Sequence, residues 1–144
     1  MVQTIAVGTD GSDTAAKAVE FAMDMAERYG AKLIIASAYT PVSEDRLRKE
    51  QTEAPQEIQW SINPNEDVDA TLRGAEETAK ERGLEYASEA RNGDPADILV
   101  EIAADHDADV IVVGNKGMQR RILGSVPNSV SHKAPCSVMI VKTA

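Results

Sequence analysis

Asp109-Val110-Ile111-Val112-Val113-Gly114 is a run of four β-branched residues closed by a glycine. Its length suits a strand, and the lack of polar alternation suits a strand covered on both faces, as in a parallel sheet. Thr4-Ile5-Ala6-Val7-Gly8 and Leu33-Ile34-Ile35-Ala36 repeat the pattern, and Ser137-Val138-Met139-Ile140-Val141 adds a further strand near the end of the sequence. Between Leu84 and Arg91 the apolar residues Leu84, Tyr86 and Ala87 are mixed among polar ones, which marks a more exposed edge strand.

Between these runs the period changes from that of a strand to that of a helix. Ala15, Val19, Ala22, Met23 and Ala26 recur at three and four residues, with Ser12 or Asp13 as the cap and Gly30 as the stop. Ile98, Leu99, Ile102 and Ala103 share one face of a second helix from about Asp94 to His106, where Pro95 suits the first turn. Residues Val68 to Arg82 form another helix ended by Gly83, and a short last helix starts near Ser125 or Val126 and ends before Ala134-Pro135. The order β-α-β-α-β-α-β-α-β predicts one α/β domain over residues 1–144. Its open sheet of five parallel strands has helices on both faces, because parallel neighbours need crossovers that a helix fills. The stretch from about residue 42 to 65 stands apart, with Pro55, Pro64, many charges and the lone Trp60, and reads as a mobile insertion or solvated connection.

Composition narrows the functional classes. With 42% hydrophobic and 27% charged residues over 144 positions the chain is an ordinary globular sequence, and no apolar run is long enough to span a bilayer. The start, Met1-Val2-Gln3-Thr4-Ile5, lacks the basic and apolar regions of a signal peptide, and Cys136 is the single cysteine, so the expected location is the cytoplasm. A net charge of −9 argues against non-specific nucleic-acid binding, which needs clustered Lys and Arg.

In sheets of this kind ligands sit beyond the carboxyl ends of the strands, where the winding direction reverses, so the loops after the first and fourth strands carry the functional expectation. The first strand ends in Val7-Gly8-Thr9-Asp10-Gly11-Ser12, which is not the G-x-G-x-x-G of a dinucleotide fold. Asp10 repels phosphate but can accept hydrogen bonds from a ribose hydroxyl or a purine amine; alternatively Asp10 or Ser12 simply caps the helix. After the fourth strand, Gly114-Asn115-Lys116-Gly117 leads through Arg120 and Arg121 to Gly124-Ser125-Val126. Glycines allow close backbone approach, the basic residues supply positive charge, and a helix starting at Ser125 offers free N–H groups to an anion. The spacing is not that of the P-loop, and taken alone the pattern also fits a structural turn with an ordinary helix cap.

Read together, the Val7 to Ser12 opening, the Val112-Val113-Gly114-Asn115-Lys116-Gly117 loop and the Gly124-Ser125-Val126-Pro127-Asn128-Ser129-Val130 segment resemble the ATP-binding universal stress proteins. The resemblance implies a Rossmann-like sheet of order 3-2-1-4-5 and an adenine nucleotide, ATP above all, bound by a stress-response sensor or switch. It implies that Asp10 bonds the ribose or adenine end, that Gly8, Thr9 and Ala38 flank the base, and that Val113 and Gly114 line the nucleotide. Gly117, Gly124, Ser125 and Val126 would wrap the phosphates, with charge added by Lys116. A homodimer paired through Ser137 to Val141 is implied as well.

One departure bears on the ligand. Six residues separate Gly117 from Gly124, against the nine usual in the family, shortening the phosphate cover by up to roughly 10 Å of extended chain. A shorter loop favours a smaller ligand such as AMP or cyclic AMP, unless Arg120 and Arg121 compensate. His106 and His132 have no partners at metal-ligand spacing, so any Mg²⁺ is expected on the nucleotide's phosphates. Asp13, Asp94 and Glu101 read as helix caps or solvated positions rather than general bases, so ATP hydrolysis, if present, is expected to be slow and incidental. A slow ATPase and a nucleotide-free partner-binding protein are the alternatives to the sensor.

Overall fold

A computed structural model describes residues 1–39, 64–115 and 125–143. In chain order the elements are β1 (Thr4–Gly8), α1 (Asp13–Tyr29), β2 (Lys32–Tyr39), α2 (Pro64–Glu81), β3 (Tyr86–Asn92), α3 (Pro95–Asp105), β4 (Val110–Gly114), α4 (Ser125–Lys133) and β5 (Ser137–Val141). The strands form one five-stranded sheet of order β3-β2-β1-β4-β5, and every pairing in it is parallel. This is the doubly wound arrangement expected from the sequence, with the switch point between β1 and β4.

Strand alternation divides the core into two layers. Ile5, Val7, Leu33, Ile35 and Val112 face α1 and α2, where they meet Val19, Met23 and Leu72. Ala6, Ile34, Ala36, Ile111 and Val113 face the opposite way and meet Ile98, Leu99 and Ile102 of α3 and Val130 of α4. Strands β1 and β4 are buried at every interior position, whereas β3 has no fully buried residue and β5 only exposed and half-buried ones. The weak apolar signal of Leu84 to Arg91 thus has its cause in an edge position.

Element ends are fixed by identifiable caps. Ser12, not Asp13, is the N-cap of α1: its Oγ accepts from Ala15 N at 3.2 Å, and Gly30 closes the helix at φ 64°, in the left-handed region that glycine enters without strain. Asp94 caps α3 by accepting from Asp97 N at 3.2 Å, and Pro95 follows in the first turn. Three boundaries differ from the sequence expectation. Helix α2 begins at Pro64 rather than near Val68, a position proline favours because its missing N–H is an orphan there. Strand β2 runs on to Tyr39, past the end of the apolar run, because Ser37, Ala38 and Tyr39 still pair with Ala90, Arg91 and Asn92. Strand β3 starts at Tyr86, since Leu84 N is still bound to Ala79 O of the preceding helix. The expected insertion lies, but for its last residues, outside the described residues.

The opposite end of the sheet is stapled by Asp109. Its Oδ2 accepts from Gln3 N at 2.8 Å and Thr4 N at 3.0 Å, tying the start of β1 to the start of β4. These two backbone donors hold its carboxyl below the usual aspartate range. A depressed folded-state pKa gives stability that is fully present above the unfolded value of about 3.9 and is lost as pH falls through the folded value. Asp109→Ala is therefore expected to unfold at a lower temperature than the unaltered chain at pH 7, with the gap narrowing below about pH 4. Thermal denaturation followed by circular dichroism at a series of pH values measures this, and a gap that stays constant into acid would contradict it.

Candidate functional site

The loop after β1 is held in shape by the end of β2. Thr9 N donates to Ala36 O at 2.9 Å, and the buried Ser37 returns the link by donating its Oγ–H to Thr9 O at 2.8 Å. Within the loop, Thr9 Oγ1 accepts from Gly11 N at 3.2 Å and Asp10 Oδ1 from Ser12 N at 2.9 Å. Gly11 sits at φ 82°, a conformation other residues rarely adopt. The helix-capping reading of this loop thus falls to Ser12, while Asp10 makes a local turn at the exposed rim.

Against this loop opens a cleft of about 570 Å³ at the carboxyl ends of β1, β2 and β4, a size typical of small-molecule sites. Its floor is strand backbone and small side chains, Gly8, Ala36, Ala38, Val113 and Gly114. Helix α3 supplies an apolar wall through Pro95, Ile98 and Leu99, and α4 supplies Val126 and Pro127. Thr9, Asp10, Ser12, Thr14 and Ser37 add polar edges. Gly8 lets α3 approach, since a Cβ there would lie 3.0 Å from Leu99 Cδ2.

Of the residues singled out from sequence, Gly8, Thr9, Asp10, Ala38, Val113, Gly114 and Val126 come together around this one cleft. Ser125 is the first residue of α4, and Lys116, Gly117 and Gly124 lie outside the described residues, as do Arg120 and Arg121. The sequence missed the α3 wall and Pro127. Ile98 and Leu99 read correctly as the buried face of a helix, but periodicity does not say that the first turn of that face ends at an opening. The signal available was Gly8 itself, a small residue at the strand end that some neighbouring element must exploit.

Asp10 apart, no charged side chain among the described residues lines the cleft. Arg91 bridges Glu89, Glu101 and Asp105, and Glu89 also meets His106 Nε2 at 2.6 Å. Hydrogen bonding to His106, then to Arg91, keeps the Glu89 carboxyl below its ordinary range. Arg82 of the segment after α2 bridges Asp24 and Glu27 of α1. Burial pushes the Cys136 thiol up, so it is not an activated nucleophile. Among the described residues no group of three His, Cys, Asp or Glu side chains is placed to hold a metal ion, and no helix is long and apolar enough to cross a membrane. What lines the strand ends is an apolar cleft with polar edges.

Comparison with known proteins gives this arrangement its relatives. The sequence profile of the universal stress protein family matches residues 1–142. A universal stress protein of Mycobacterium tuberculosis is 39% identical over 145 residues, covering 98% of this chain and 97% of the relative. One from Methanocaldococcus jannaschii is 30% identical over 148 residues, covering 99% and 83%. Among solved structures, a universal stress protein in complex with cAMP is 39% identical, covers 99% of each chain and superposes with a TM-score of 0.77. A universal stress protein from Archaeoglobus fulgidus, at 22% identity and a TM-score of 0.74 over 99% of this chain, shares the fold. The chain belongs to the universal stress protein family.

Proposed function

We propose that the cleft at the ends of β1, β2 and β4 binds an adenine nucleotide and that occupancy makes the protein a nucleotide-dependent sensor or switch. The observation that carries this reading is the convergence of seven residues, expected from the family resemblance to hold a nucleotide, on one apolar cleft at the switch point. The 39% identical relative solved with cAMP supports it. The purine slides between the strand floor and the wall of Ile98, Leu99 and Val126, the apolar surround that a base requires. Asp10 and Thr9 at the rim offer oxygens to ribose hydroxyls and to the purine amine. By the family resemblance, Gly117, Gly124, Ser125 and Lys116 receive the phosphates, and Mg²⁺ would ride on ATP.

ATP is the first candidate ligand, with cAMP and AMP as the smaller alternatives. The short spacing between Gly117 and Gly124 trims the cover over a triphosphate, and cAMP carries a single phosphate. Strand β5, an edge whose Met139 is 39% exposed, is the surface for a homodimer, and light scattering should then return twice the mass of the chain. Denaturing freshly purified protein and identifying what is released by mass spectrometry tests the ligand reading. An adenine nucleotide in near-stoichiometric amount supports it. An empty cleft that also fails to take up cAMP, AMP or ATP moves the case to a nucleotide-free, partner-binding protein.

A further inference from the structure

The exit from β4 and the end of β5 meet at one buried polar contact. Asn115 and Thr143 are 6% and 4% exposed, and with Ser37 they are the buried polar side chains among the described residues. Asn115 Oδ1 accepts from Thr143 N at 2.7 Å and from Thr143 Oγ1 at 2.8 Å, while Asn115 N donates to Val141 O at 3.0 Å. Lys17 of α1 donates its Nζ–H to Thr143 O at 3.2 Å. Gly114, which lines the cleft, packs closely against the same residue: a Cβ there would lie 3.2 Å from Thr143 Cγ2, a tight contact. One carboxamide oxygen thus fixes both the peptide and the hydroxyl of Thr143, and removing it strands two buried donors.

We infer that Asn115 is a positioning residue for the cleft: by clasping Thr143 it fixes the point at which the chain leaves β4, and it couples the edge strand β5 to the nucleotide site. This rests on the nucleotide reading above. The coupling runs through a short physical chain, from β5 through Thr143 to Asn115 and Gly114, with Lys17 adding α1.

The test compares Asn115→Ala, Thr143→Val and Thr143→Ser in the full chain. The probe is cAMP, titrated by calorimetry well below each variant's unfolding midpoint. Asn115→Ala loses both hydrogen bonds and is expected to bind about tenfold more weakly. Thr143→Val loses only the hydroxyl bond and falls between; Thr143→Ser keeps both bonds and stays close to the unaltered chain. A merely structural role would lower the midpoint and leave the affinity of the folded variant alone, so unaltered affinity in Asn115→Ala overturns the inference. Amide exchange in the ligand-free protein separates failure of the clasp from failure of the site. If the unaltered chain binds no nucleotide, faster exchange reaching from Thr143 to Gly114 in Asn115→Ala still upholds the clasp, and unchanged protection at Thr143 overturns it.

Discussion

Ala38→Trp is expected to abolish nucleotide binding while leaving the protein folded. Ala38 lies near the carboxyl end of β2, half-buried, on the same face as Ile34 and Ala36. That face fronts the cleft, so an indole there fills space between the strand floor and the α3 wall that the base would occupy. A loss of about 100-fold or more in affinity for cAMP corresponds to about 2.7 kcal/mol, a modest figure for displacing a base from its slot. The fold should survive, because the added side chain enters an opening rather than a close-packed interior. Calorimetric titration beside a thermal melt measures both quantities. Undiminished affinity in a folded Ala38→Trp would place the ligand elsewhere.

Ile111→Ala is expected to have the largest effect on stability. Ile111 is wholly buried and sits on β4 between Ala6 of β1 and Val138 of β5, where it contributes to the layer under α3 and α4. Truncation removes buried apolar surface and leaves a cavity that a strand held in register on both sides cannot collapse. Such changes cost about 2–5 kcal/mol, which in a domain of this size lowers the unfolding midpoint by roughly 10 °C. Urea denaturation should show the midpoint falling with an unchanged slope, since the surface exposed on unfolding hardly alters. A loss under about 1 kcal/mol would mean that the layer repacks around the gap.

The contrast between those two positions shows which parts of the molecule can be read from its residues. Ile111 announces itself: a continuous β-branched run means a strand covered on both faces, and four such runs separated by helical periods mean a parallel sheet. Gly30, Asp94 and Pro95 fix helix ends by local chemistry, so they too are legible. The strand order is not a local property; here it came from the resemblance carried by the Gly8-Thr9-Asp10-Gly11 and Gly114-Asn115-Lys116-Gly117 loops. Cleft residues were found where a glycine or a strand end marked them. Ile98, Leu99 and Pro127 were not, because their place at an opening depends on how α3 and α4 pack against strands distant in sequence. Asn115 was passed over for the same reason, since its partner Thr143 lies 28 positions away and nothing in the local pattern links the two. The start of α2 and the end of β2 lie beyond their apolar runs because apolar period fades before the hydrogen-bonded ladder does.

The central question is whether the cleft holds an adenine nucleotide. The most direct measurement is a calorimetric titration of cAMP, AMP and ATP into the full chain after removal of any co-purified ligand. Saturable binding of at least one of them is expected, with one nucleotide per chain and the signal lost in Ala38→Trp. The absence of saturable binding of all three up to about 1 mM, a free energy no stronger than about −4 kcal/mol, would contradict it.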